Sequence, residues 1–256
     1  MRKFMFAFVI ISITFFAGCS GGEQSDDDTK LLVAAASSLS ETLSELKNAF
    51  ESEHQNITLT LNYGASGKLS QQIQSGAPVD VFLSASQQWM DRLAQKEAIT
   101  ADTRTNFAQN TLVLVSSRNK SISASQLSDL PDLEVGQIAI GNPDSVPAGN
   151  YAKQALTESG IWDEFENKLI YTNNAQQTLT YVESGNTDFG IVYNSDFKRS
   201  DLVKKVFAID GSLHEPIHYP AAVPATSTAK EDAQEFIQFL KSDKAQSILQ
   251  ENGFEG

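Results

Sequence analysis

The sequence predicts an α/β protein with parallel sheets covered on both faces, and three observations carry that expectation. Short apolar runs of strand length recur along the chain, stretches with helical spacing of apolar residues separate them, and glycines follow several of those stretches. Leu31 to Ala36 is an apolar run that reads as a buried strand, followed by a helix with Leu39, Leu43, Leu46 and Phe50 on one face. Ile57 to Tyr63 alternates apolar residues with Thr and Asn, as a half-buried strand does, and Leu69 to Ser75 is a short helix stopped at Gly76. Val79 to Ser84 is the third strand, and Gln87 to Ala98 the helix after it. Further strands are expected at Thr111 to Val115, Gln137 to Ile140, Leu169 to Tyr171 and Phe189 to Tyr193. Helices at Ala148 to Glu158 and Ala175 to Glu183 lie between them, ended by Gly160 and Gly185. A last helix is expected from Glu231 to Gln250.

A chain of 256 residues is enough for one large or two ordinary domains. Its 19 basic and 32 acidic residues give a formal charge of −13, which argues against non-specific nucleic-acid binding, since that needs clustered Lys and Arg to displace counterions. One cysteine excludes an internal disulfide and a zinc site built on paired thiolates. That cysteine, Cys19, ends a leader: Arg2 and Lys3 are followed by an apolar run from Phe4 to Phe16, too short to cross a bilayer comfortably, and then by Ala17-Gly18-Cys19. The segment resembles the lipobox of bacterial lipoproteins, with Phe16 where Leu is more usual. The resemblance implies a lipoprotein signal peptide at 1–18, lipid on Cys19, and a polar, Gly- and Asp-rich tether at 19–30. Removing Arg2 and Lys3 leaves 17 basic against 32 acidic residues, about −15.

The strand-to-helix junctions are the informative places. Ser37-Ser38, Gly64-Ala65-Ser66-Gly67-Lys68, Asp144 to Gly149 and Asn173-Asn174-Ala175 each stand between an expected strand and an expected helix, and Ser38 with Glu41 fits a capping box. Each junction aims free backbone N–H groups and the positive end of a helix dipole at the carboxyl ends of the strands. Any one of these serines alone is an ordinary cap. Several converging on one cleft make an anion site that needs no net positive charge.

From Leu31 to Phe254 the residues resemble the molybdate-binding proteins of bacterial ABC transporters. The carriers are AAASSLSETL at 34–43, GASGKLSQQIQSGAPVDVFLSAS at 64–86, GNPDSVPAGNYAKQAL at 141–156, NNAQQTL at 173–179, GIVYNSD at 190–196 and FLKSDKAQSILQENGF at 239–254. The resemblance implies a two-lobed clamshell of the type 2 periplasmic-binding-protein fold, each lobe a mostly parallel sheet with flanking helices, joined by two crossing strands. The lobes would be 30–108 plus 222–256, and 109–221. It implies a site of two serines, two backbone amides and a tyrosine hydroxyl: Ser38, with Ser37 the alternative, Ser66, the amides of Ala148 and Ala175, and Tyr193. Molybdenum would be held only as the oxyanion, with no cofactor. The implied partners are the permease and ATPase subunits of an ABC transporter, to which a monomeric, lipid-anchored receptor outside the cytoplasmic membrane delivers molybdate or tungstate. Gly67 stands where some relatives have serine or threonine.

The residue types agree with that chemistry. Molybdate is fully deprotonated at neutral pH, so its oxygens only accept hydrogen bonds, and hydroxyls and amides supply donors. Phosphate keeps a proton and would welcome a carboxylate, which none of the five positions offers; sulfate, equally proton-free, must be refused by size. A sulfate receptor of the same fold is the alternative, and a secreted hydrolase a distant one. The Walker pattern fails at Asn62 and Leu69, and Gly64 is too close to Ser66 for a nucleophile elbow. Pro216 between His214 and His218 argues against a helical metal pair, and an iron clamshell would want more tyrosines than Tyr193.

Overall fold

A computed structural model describes residues 28–120 and 122–255 of the chain. The expected signal peptide, Cys19 and the tether up to residue 27 lie outside the described residues. In chain order the elements are β1 (Thr29–Ala36), α1 (Ser40–Glu53), β2 (Ile57–Gly64), α2 (Ser66–Gln74), β3 (Val81–Leu83), α3 (Gln87–Gln95), β4 (Thr105–Asn110), β5 (Leu112–Ser117) and β6 (Ile138–Gly141). There follow α4 (Pro147–Glu158), α5 (Trp162–Phe165), β7 (Leu169–Thr172), α6 (Ala175–Glu183), β8 (Phe189–Tyr193), α7 (Asn194–Lys198), β9 (Val203–Ala208), β10 (Ile217–Ala222), α8 (Lys230–Phe239) and α9 (Asp243–Glu251).

The strands form two five-stranded sheets, ordered β2-β1-β3-β10-β4 and β7-β6-β8-β5-β9. In the first, β1 pairs in parallel with β2 and β3, while β10 runs antiparallel to β3 and β4. In the second, β6 pairs in parallel with β7 and β8, while β5 runs antiparallel to β8 and β9. Each sheet is therefore mostly parallel with one reversed strand. Those reversed strands follow the two points where the chain changes sheets, Asn110 to Leu112 and Ala208 to Ile217. The architecture is the mixed-sheet α/β clamshell of the type 2 periplasmic-binding proteins, as expected.

Burial explains why the apolar runs became strands. On β1, Leu31, Val33 and Ala35 join one apolar cluster with Leu39, Leu43, Leu46 and Phe50 around α1, whereas Ala34 joins a second cluster with Leu69, Ile73, Phe82, Met90 and Leu93 beneath α2 and α3. Both faces are covered, which is why the run shows no polar alternation. In the second sheet, Val113, Val115 and Val192 pack with Leu179 and Val182 of α6.

Four local expectations change. The helix after β1 starts at Ser40, because a short 3-10 turn over Ser37–Leu39 intervenes; the Ser38–Glu41 capping box does not form, and Ser38 Oγ lies instead 3.0 Å from Tyr219 Oη. The third strand is shorter than Val79 to Ser84. Thr29 and Lys30 are already strand, paired with Ile57 and Thr58. The single C-terminal helix is two, α8 and α9, because Ser242 Oγ accepts the Ala245 N–H at 3.2 Å and caps a new start.

Helix stops agree with the sequence: Gly160 and Gly185 take left-handed φ values of 73° and 72° after α4 and α6. A tighter constraint sets the position of α4. A Cβ built on Gly149 would stand 1.8 Å from the Gly141 carbonyl oxygen, so the first turn of α4 rests directly on the end of β6. Gly149→Ala is expected to lower unfolding stability by about 2 kcal/mol or more, read from the urea midpoint, since the obstacle is backbone that cannot rotate away.

Candidate functional site

The carboxyl ends of six strands, β1, β2 and β3 from one sheet and β6, β7 and β8 from the other, face a common gap. There, Ser37, Ser38, Ala65, Ser66, Ala85, Pro147, Ala148, Ala175 and Tyr193 line one small cavity. The structure thus brings together all five positions singled out from the sequence, Ser38, Ser66, Ala148, Ala175 and Tyr193, and also the alternative Ser37. No lining residue carries a charge.

Each donor is placed by its element. Ser66 opens α2 directly after β2, is fully buried, and its Oγ accepts the Ala85 N–H at 3.0 Å. With that lone pair engaged, its own hydrogen is free to donate. Ala148 is the second residue of α4; Pro147 before it has no N–H, and Gly149 and Asn150 N–H groups turn back to the Val146 carbonyl at 3.0 and 3.1 Å. The Ala148 N–H belongs to the first helical turn, where amides lack an intrahelical acceptor. Ala175 opens α6, whose cap Asn174 accepts the Gln177 N–H, and the Ala175 N–H donates to Ser37 Oγ at 3.2 Å across the cleft. Ser37 and Ser38 therefore differ in role: Ser37 is engaged by the facing lobe, Ser38 by Tyr219 behind it.

Tyr193 ends β8 and is buried, and its Oη bonds to no protein group among the described residues. An unpaired buried hydroxyl costs on the order of 1–3 kcal/mol, so this atom marks a place where a partner belongs. Burial pushes its pKa well above the ordinary value, and neighbouring Tyr219 adds to the shift, so the hydroxyl stays protonated and donates.

Three further contacts hold the lobes together and had no signal in the sequence. The Gly67 N–H donates to the Ser145 carbonyl at 3.1 Å, and a Cβ on Gly67 would lie 2.7 Å from the Trp89 ring and 2.8 Å from that carbonyl. Glycine is what lets the first turn of α2 touch the opposite lobe. Arg199, buried after α7, reaches Ser40 Oγ at 3.0 Å while pairing with the buried Asp196. Asn194 Nδ2 donates to the Gly253 carbonyl at 3.0 Å. Asn110 and Tyr219, also absent from the sequence reading, lie at the crossings between sheets. Among the described residues no group of three or more His, Cys, Asp or Glu could hold a metal ion, and no helix is long and apolar enough to cross a membrane.

Two lobes closing on a cavity walled by strand ends and helix starts define a solute-binding protein, a molecule that encloses a small ligand and does not transform it. Residues 31–255 match the family model of the bacterial extracellular solute-binding proteins, and the chain belongs to that family, in its branch related to the molybdate-binding proteins. It is 36% identical over 255 residues, 97% of either chain, to the Bacillus subtilis protein YvgL, provisionally named an ABC transporter substrate-binding lipoprotein. It is 32% identical to the Escherichia coli molybdate-binding protein ModA, over 99% of this chain and 98% of that one. Among solved structures, the Azotobacter vinelandii periplasmic molybdate-binding protein superposes with a TM-score of 0.80 at 25% identity, covering 88% of this chain and 98% of the other. Family membership places the chain outside the cytoplasm, in service of an ABC transporter's permease and ATPase.

The buried ion pair gives the lobe contact a pH dependence. Burial pushes the Asp196 carboxyl up from 3.8 to about 6, against Arg199, which pulls it down. The folded protein thus holds this proton more tightly than the unfolded chain does. The associated stability is present below the ordinary carboxyl value and is lost as pH rises through about 6. In urea unfolding from pH 4 to 7, the stability of the native protein relative to Asp196→Asn is expected to be highest at pH 4 and to decline through pH 6; a constant difference would remove Asp196 as the titrating group.

Proposed function

We propose that this chain captures molybdate, and tungstate as well, and delivers it to an ABC permease for uptake, tethered to the membrane by lipid on Cys19. The lobes, expected at residues 30–108 plus 222–256 and at 109–221, would divide at the crossings between the sheets, so that β10 with Tyr219 goes with the first, and would move as a clamshell about those crossings. Ser38, Ser66 and Tyr193 would donate through hydroxyls, and Ala148 and Ala175 through backbone amides. The observation that carries this reading is the composition of the cavity wall: hydroxyls and first-turn amides converge there, no carboxylate or cation lines it, and one buried hydroxyl lacks a protein partner.

Such a wall suits an ion that accepts hydrogen bonds at every oxygen and donates none. Phosphate, which keeps a proton at neutral pH, would find no carboxylate to receive it. The names of the relatives support the ligand assignment, since several are molybdate-binding proteins. The Ala175 amide, engaged by Ser37 Oγ in this structure, would serve the anion by re-aiming or by sharing its hydrogen, and the Ser37 hydroxyl stands ready beside it.

Isothermal titration of the purified protein with molybdate, tungstate, sulfate and phosphate tests the assignment. Molybdate and tungstate are expected to bind tightly and to compete, with sulfate and phosphate far weaker; tight sulfate binding without a molybdate response would transfer the protein to the sulfate alternative. Tyr193→Phe is expected to weaken molybdate by about 1.5–3 kcal/mol, some ten- to hundredfold, and unchanged affinity would remove Tyr193 from the site. Gly67→Ala is expected to bind molybdate at least about tenfold more weakly, because its methyl group meets the Ser145 carbonyl when the lobes close, and to unfold at a somewhat lower temperature, because it also meets the Trp89 ring of its own lobe.

A further inference from the structure

Tyr219 does not line the cavity, yet its hydroxyl stands directly behind one of the wall's donors. It is fully buried on β10, with its ring centroid 6.3 Å from Phe107, 5.9 Å from Tyr193 and 5.3 Å from Phe254. Within hydrogen-bond distance its Oη has two polar neighbours, Ser38 Oγ at 3.0 Å and Asn110 Nδ2 at 3.4 Å. Tyr193 Oη is near enough to couple with Tyr219, but it meets hydrogen-bond geometry with neither Tyr219 nor any other described protein group.

The orientation of Asn110 is fixed by its backbone surroundings. Its Oδ1 accepts the Thr111 N–H at 2.9 Å and faces the Ser195 N–H at 3.5 Å, so the amide nitrogen must be the atom turned to Ser195 Oγ, 2.8 Å away, and to Tyr219. That nitrogen only donates. Whatever the strength of the longer contact, Asn110 cannot receive the Tyr219 proton, and Ser38 Oγ is the acceptor that remains. The reverse arrangement would set the Tyr219 hydrogen against the hydrogens of an amide in a buried place.

We infer that Tyr219 is a positioning residue that sets the polarity of the Ser38 hydroxyl: by donating to Ser38 Oγ from behind it turns the serine hydrogen into the cavity, and so favours oxyanions that carry no proton. This deepens the oxyanion reading and rests on it. The same construction recurs at the other two serines, where the Ala85 N–H fills a lone pair of Ser66 and the Ala175 N–H one of Ser37. Those donors are backbone; at Ser38 the task falls to a side chain and can be removed. Were the Ser38 lone pair free, the hydroxyl could rotate and accept the proton of a protonated ion such as phosphate. Tyr219 occupies that lone pair.

The test is a double-mutant cycle of Tyr219→Phe and Ser38→Ala, each protein titrated with molybdate, sulfate and inorganic phosphate at neutral pH, with unfolding midpoints to confirm the fold. Tyr219→Phe, which keeps the ring contacts, is expected to weaken molybdate about tenfold while phosphate holds or improves, so the molybdate-to-phosphate ratio falls about tenfold or more. In the Ser38→Ala background the same change is expected to add less than about twofold. Equal weakening of both ions, unchanged molybdate affinity, or losses that multiply in the double variant would each overturn the inference. Should Tyr219→Phe unfold, Asn110→Ala takes its place, since it permits Ser38 to donate to Tyr219 and is expected to lower the same ratio. A native protein that binds sulfate in place of molybdate defeats only the ligand assignment, and the ratio is then read against sulfate; one that binds none of the three defeats both readings.

Discussion

The structure depends on one geometric constraint: strands of two sheets end at the same gap, and the helices that follow them begin there. A helix start leaves N–H groups without intrahelical acceptors, and a buried amide without a partner is costly, so the gap must be filled by something that accepts hydrogen bonds. Part of that need is met between the lobes, by Gly67 on Ser145 and Ala175 on Ser37. The remainder, with the hydroxyls of Ser38, Ser66 and Tyr193, faces the cavity. The close rest of Gly149 on Gly141 and of Gly67 on the opposite lobe brings these groups within reach of one small ligand.

This constraint reconciles an anion site with a chain whose formal charge is −13. Long-range attraction cannot draw an anion to such a surface, and the cavity wall contains no cation to compensate. Helix-start amides and oriented hydroxyls act over a few ångströms and only where water has been excluded, which makes their effect a matter of fit. The charged pair nearest the lobe contact, Asp196 with Arg199, is engaged with itself and with Ser40. Its work is between the lobes, and the cavity wall is left to neutral groups.

Much of this was legible in the chain because parallel strands buried on both faces read as plain apolar runs, and because each functional position sits where such a run ends. The junctions that hold Ser66, Ala148 and Ala175 were legible that way, the resemblance to the molybdate-binding proteins singled out those residues and Tyr193 within them, and the structure lines one cavity with all four. What was not legible came from residues far apart in sequence. Strand β10 contains Pro220 at a shift of register and β4 reads as Thr-Asn-Phe-Ala-Gln-Asn, so neither has a strand's pattern, yet they supply Tyr219 and Asn110. Strand β9 opens on Val203-Lys204-Lys205-Val206, where adjacent lysines hide the period. Ser38 looked like a helix cap because its spacing to Glu41 is right; a 3-10 turn moved the helix start one residue on, to Ser40, and left the hydroxyl to Tyr219.

The two kinds of hydroxyl orientation also divide the site by lobe. Ser66 takes its backbone donor from Ala85 and Ser38 its side-chain donor from Tyr219, both within the sheet that carries the serines, so these two are aimed before any closure. Ser37 takes its donor from Ala175, at the end of a strand in the other sheet, so its orientation exists only once the lobes meet. Tyr193 and the Ala148 amide arrive with that same lobe. A ligand can shift the balance toward closure only by contacts better in the closed form than in the open one. An ion that only accepts hydrogen bonds gains at every one of these late-arriving donors, whereas an ion with a proton must set it against at least one of them. Selection by proton content therefore sharpens as the clamshell shuts, and the first lobe alone should discriminate less than the closed pair.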